Sequence, residues 1–73
     1  MNKDTKKILA ENMRLLRAKK KFSQEAVAER AEIGQNQISE IENEHSNPSL
    51  ETLIRIADAL NVKLARLFEA DHY

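Results

Sequence analysis

An all-α fold of five short helices is what this sequence predicts, and three observations predict it. The chain is rich in Lys, Glu, Ala, Leu and Arg with one Gly and one Pro, which favours helix over strand. Apolar residues recur at three- and four-residue spacings, so each segment carries one inward stripe. Ser, Asn and Pro punctuate those segments where helices start and stop. With 73 residues and no cysteine, a single domain over 1–73 is expected, holding one modest apolar core without disulfide or thiolate–metal reinforcement.

The first helix is expected from about Thr5 to Lys20, because Ile8, Leu9, Met13 and Leu16 share a stripe and Lys19, Lys20 and Lys21 suit a helix C-terminus. Residues 1–4 are expected to fray. Ser23 is the natural N-cap of a second helix, with Glu25 in its first turn and Val27, Ala28 and Ala31 turned inward. After a break at Glu32 to Gly34, a third helix runs from Gln35 to about Asn43 and buries Ile38 and Ile41. The stretch from Asn43 to Ser49 reads as a loop, since Pro48 disfavours helix at Asn47. Ser49 caps a fourth helix whose stripe is Leu50, Leu53, Ile54, Ile56, Ala57 and Leu60, and Asn61 closes it in a left-handed conformation. A fifth helix, Lys63 to Glu69, supplies Leu64, Leu67 and Phe68, and residues 70–73 are expected to fray.

The net charge is zero, which by itself argues against a polyanionic partner, but the charge is unevenly spread. Residues 1–22 hold eight basic groups against Asp4 and Glu11, a local +6, and the remainder carries −6. Such a pattern can orient a protein on a polyanion, and it can equally serve self-association or solubility. No apolar run suggests a membrane span or a secretory leader, so a cytoplasmic location is expected. An enzyme is not expected: there is no Cys nucleophile and no Gly-rich phosphate loop, and His45 and His72 fall in no ligand spacing. No metal and no cofactor is expected either.

More specific is the string Phe22-Ser23-Gln24-Glu25-x-Val27-Ala28-Glu29-x-Ala31, followed by Ile33, Ile38-Ser39-x-Ile41-Glu42-Asn43 and Asn47-Pro48-Ser49-Leu50-Glu51-Thr52-Leu53, with Ala-x-Ala-Leu-x-Val ending at Val62. Over roughly Met13 to Phe68 the chain resembles the Cro and phage-repressor (XRE-type) helix-turn-helix family. The resemblance implies a compact five-helix lambda-repressor-like DNA-binding domain. Its second helix would cross the backbone of double-stranded DNA, and its third would enter the major groove with its first turn foremost. It further implies a sequence-specific transcriptional regulator.

On that frame the outward face of the third helix is polar, short or amide-bearing, and amides can pair bidentately with adenine N6 and N7. Gln35, Asn36 and Gln37 are the base-reading candidates, with Ser39 next. In isolation the three amides also fit ordinary solvent-facing helix residues. Glu40 either accepts from cytosine N4 or opposes nearby phosphates. Phosphate contacts are implied for Gln24, for Asn43 and for Ser46 in the following loop. Gln24 has a second reading, as a solvated first-turn residue touching Gln35. Arg17 and Glu42 match positions that pair as a partly buried ion bridge in similar proteins, which is a structural role; the competing reading makes Arg17 a free phosphate anchor.

The chain departs from the family at three turns that usually hold glycine, where Lys21, Glu32 and Glu44 stand, and at a fourth with Asn61. Strained turns or shifted helix ends are the two expectations. The loop after the third helix is Glu44-His45-Ser46, where relatives commonly carry Lys or Arg, so few phosphate contacts and a shallow salt dependence are expected. A homodimer on a near-palindromic site is implied, with Leu64, Asn61 and Phe68 as interface candidates; helix five as pure core is the other possibility. The rival function is a protein-binding module of the same fold, with a toxin or regulator as partner.

Overall fold

The computed structural model describes residues 1–70. Four α-helices and one 3-10 helix form it, with no strand among the described residues: α1 (Lys3–Lys20), α2 (Gln24–Ala31), α3 (Gln35–Glu42), α4 (Leu50–Ala59) and a 3-10 helix (Leu64–Phe68). The expected fifth α-helix is therefore a 3-10 segment. Five residues are too few to sustain an α-helical nucleus, and its bonds reach back three residues, as from Arg66 N–H to the Lys63 carbonyl at 2.9 Å.

Helix starts follow local chemistry. Ser23 Oγ accepts from Ala26 N–H at 3.0 Å and Ser49 Oγ from Thr52 N–H at 3.1 Å, as expected. The expected fraying of residues 1–4 is corrected at the other end of the same rule: Asn2 Oδ1 accepts from Thr5 N–H at 2.8 Å, so Lys3 and Asp4 lie inside α1. The N-cap of α3 is Gly34, which has no side chain to cap with; Gln37 reaches back instead, its Oε1 accepting from Gly34 N–H at 3.3 Å. Of the residues 70–73 expected to fray, Ala70 is non-helical and exposed, and 71–73 lie outside the described residues.

Helix ends share one geometry. Lys21, Glu32, Glu44 and Asn61 all take the left-handed conformation, with φ between 56 and 63°. In each, that residue's N–H bonds a carbonyl three residues back and the next N–H bonds one five residues back, as in Phe22 to Arg17 at 2.9 Å and Val62 to Ala57 at 2.9 Å. The glycine turns are thus kept without glycine, at about 1 kcal/mol or more each. After three of them the chain turns back onto the core through Phe22, Ile33 and Val62. After the fourth stands His45, exposed.

The core gathers Leu9, Met13 and Leu16 of α1, Val27 of α2, Ile38 and Ile41 of α3, and Ile56 of α4 with Leu60 and Leu67, all buried. Helix α2 packs on α3 and α4, while α1 lies across α3 and the 3-10 helix. Leu50 and Ile54, read from the sequence as part of α4's inward stripe, are corrected: they are 63% and 43% exposed. They sit on the flank of α4 beyond the arc that Leu53, Ile56 and Ala57 already fill. Buried Asn12 on α1 donates from Nδ2 to the carbonyls of Leu67 at 2.9 Å and Glu69 at 2.8 Å, satisfying the end of the 3-10 helix from a distant element.

Candidate nucleic-acid interface

The two helices α2 and α3, joined by the three-residue turn Glu32 to Gly34, form a helix-turn-helix with α3 presented at the surface. Ile38 and Ile41 anchor its inner face, both buried. Gln35, Asn36, Gln37, Glu40 and Asn43 are exposed and Ser39 is half-buried, so the outward face is the polar one read from the sequence. Asn43 is the residue that ends α3 rather than its last turn, and its Nδ2 donates to the Ser39 carbonyl at 2.9 Å and to Ser39 Oγ at 3.3 Å. The two side chains thus stand together one turn apart. Asn36 Oδ1 lies over Gly34, where a Cβ would come within 2.8 Å of it. Gln37 Oε1 accepts from the Gly34 N–H, and its Nε2 takes no part in that bond.

Beneath that face lies a buried polar cluster. Arg17 Nε donates to Glu42 Oε2 at 2.6 Å and its second terminal nitrogen, Nη2, to Oε1 at 2.8 Å, a bidentate pair between α1 and the last turn of α3. Arg17 Nη1 also donates to the Phe22 carbonyl at 3.0 Å, tying the α1–α2 turn into the same cluster. Glu42 is 3% exposed. The hydrogen bond to Glu42 raises the Arg17 pKa further, against the opposing effect of burial, so the guanidinium stays charged. Gln24 bonds to Glu42: its Nε2 donates to Glu42 Oε1 at 3.1 Å, fixing the first turn of α2 to the end of α3. Ser46 is half-buried in the loop that follows.

Two arginines that the sequence did not single out complete the frame. Helices α3 and α4 carry no basic residue in their last turns, so their terminal carbonyls draw cations from elsewhere. Arg14 of α1 donates from Nη1 to the Glu42 carbonyl. Arg30 of α2 donates from Nε to the Ala59 carbonyl at 3.2 Å while its guanidinium stacks 4.7 Å from the Phe22 ring centre. The missing last-turn bases were the legible signal; which arginine would answer was not.

Of the interface candidates, Leu64 and Asn61 line one groove with Ile54, Asp58 and Lys63. Phe68 is not part of it and packs against the core.

A helix-turn-helix family, HTH_3, matches residues 13–67, the stretch that contains every element just described from the middle of α1 to the 3-10 helix. The chain belongs to the HTH_3 helix-turn-helix family. It is an XRE-type, DNA-binding transcription regulator and not an enzyme. Among HTH_3 relatives, "Control protein C.SmaI" of Serratia marcescens is 41% identical over 64 residues, covering 88% of this chain and 76% of that protein. Two solved structures superpose well. A hypothetical transcription factor, NHTF, from Neisseria gives a TM-score of 0.86 at 32% identity, over 89% of this chain and 75% of that one. The restriction-modification controller protein C.AhdI from Aeromonas hydrophila gives 0.84 at 27% identity, over 86% and 96%. Among the described residues of this HTH_3 protein, no helix is long and apolar enough to cross a membrane.

Proposed function

We propose that the protein reads a near-palindromic operator as a homodimer in the cytoplasm, with α3 of each copy in the major groove. The observation that carries this is the division of α3 into a polar outer face and an inner face held by Ile38, Ile41 and the Arg17–Glu42–Gln24 cluster. Such a helix can present hydrogen-bonding groups to base edges without reorganising. Gln35 and Asn36 supply complete amides and Gln37 its free Nε2, with Ser39 following. Gln24, whose Nε2 keeps a second hydrogen, together with Asn43 and Ser46, positions the phosphates. Likeness to a control protein and to a restriction-modification controller favours a role of that kind.

Eight residues of helix read few base pairs, so affinity needs a two-fold partner. The groove between α4 and the 3-10 helix suits one: exposed Ile54 and half-buried Leu64 supply apolar surface, and Asp58 and Lys63 supply both signs of charge, as a self-complementary interface requires. Selection from randomised duplex DNA, followed by anisotropy titration at two salt concentrations, tests the reading. Two half-sites about 34 Å apart should be enriched, with a salt slope well below that of about eight phosphate contacts. Absence of any enriched sequence would transfer the function to a protein partner such as a toxin. Ile54→Glu or Leu64→Glu should shift gel-filtration elution to the monomer; an unaltered volume removes this groove from the interface.

A further inference from the structure

Charge is segregated around α1 as well as along the chain. At about 100° per residue, Lys3, Lys6, Lys7, Arg14 and Arg17 share one sector about 100° wide, and Ala10 is the sole other occupant. Both acids of the helix, Asp4 and Glu11, lie outside it. The sector faces α3, since Arg17 grips the Glu42 carboxylate and Arg14 the Glu42 carbonyl. Glu42 neutralises Arg17 alone. Lys3, Lys7 and Arg14 are exposed, and among the described residues none of them has a carboxylate at ion-pair distance.

We propose that this sector is a phosphate track for the DNA strand bordering the groove that α3 reads, continuing the contact surface past Asn43. The proposal rests on the DNA-reading function above. Arg14 marks where the track joins α3, because its contact with Glu42 sets it beside Asn43. From there the cations extend along α1 for about 16 Å, at 1.5 Å per residue. A protein partner would need an apolar centre to its interface, and the sector offers only buried Ala10. A row of cations without apolar groups between them matches a polyanion. A neutral chain thereby sets a positive strip of α1 against DNA beside the polar face of α3.

The test compares wild type with the double variant Lys3→Gln, Lys7→Gln, and with Lys19→Gln, whose side chain leaves α1 on another side. Affinity for the selected duplex is measured by anisotropy between 50 and 200 mM salt. Every phosphate that a variant leaves without its cation lowers the slope of log K against log salt by about 0.9. Over that range the double variant should therefore lose about 12-fold less affinity than wild type does. Its base preference and melting temperature should not change, and Lys19→Gln should follow wild type. Parallel salt lines for the double variant and wild type overturn the track; if Asn36→Ala still weakens base preference, the DNA-reading function survives that result. Wild type that binds no duplex overturns both.

Discussion

The inner and outer faces of α3 are built from opposite materials. Inside, Ile38, Ile41 and Glu42 are all buried, and the carboxylate is satisfied by Arg17 and Gln24. Outside, the amides bond only within their own turn, as Asn43 does with Ser39 and Gln37 with Gly34. The inner face therefore determines whether α3 exists in this pose, and the outer face what it can recognise. Mutations should divide along the same line: inner ones in melting curves, outer ones in DNA selectivity.

The largest effect is expected from Arg17→Ala. It strands the Glu42 carboxylate in a site that is 3% exposed, with the Gln24 amide as its one remaining hydrogen-bond partner among the described residues. A loss of about 3–5 kcal/mol is expected from breaking such a pair, which in a domain of this size lowers Tm by more than about 12 °C. Thermal denaturation checks it. An unchanged curve with lost DNA binding would make Arg17 a phosphate anchor instead. Next in size, Asn36→Ala should weaken discrimination at one base position by about 1–3 kcal/mol with Tm unaltered, measured by competition between selected and singly altered duplexes. A matching fall in Tm would place Asn36 in the scaffold. The smallest effect belongs to Glu44→Gly at the turn closing α3, where φ is 63°. Relief of left-handed strain, about 1–2 kcal/mol, is partly offset by the entropy glycine adds to the unfolded chain, about 0.5–1 kcal/mol. Tm should rise by a few degrees with base preference retained; a fall would show that Glu44 makes an interaction worth more than the strain.

Much of this molecule was legible before any coordinates. Ser23 and Ser49 marked helix starts because a hydroxyl followed by a helical first turn has a nearby N–H to satisfy. The family resemblance marks the unusual turns at Lys21, Glu32 and Glu44, helix punctuation also marks Asn61, and all four are left-handed. The outward polar face of α3 followed from Ile38 and Ile41 alone, since fixing one side of a helix fixes the other. The pairing of Arg17 with Glu42 came only from the family resemblance. Gln24 was assigned to DNA or to Gln35, and neither reading foresaw its bond to Glu42.

Local chain chemistry, then, determined the helices, their caps and which face of α3 is polar, because those depend on groups within about five residues of each other. Tertiary structure alone decided which distant groups meet. Asn12 finds the end of the 3-10 helix, Arg14 and Arg30 find the carbonyl ends of α3 and α4, and Leu50 and Ile54 are left outside a core already filled. Each is settled by where helices cross, which apolar periodicity along one segment does not contain.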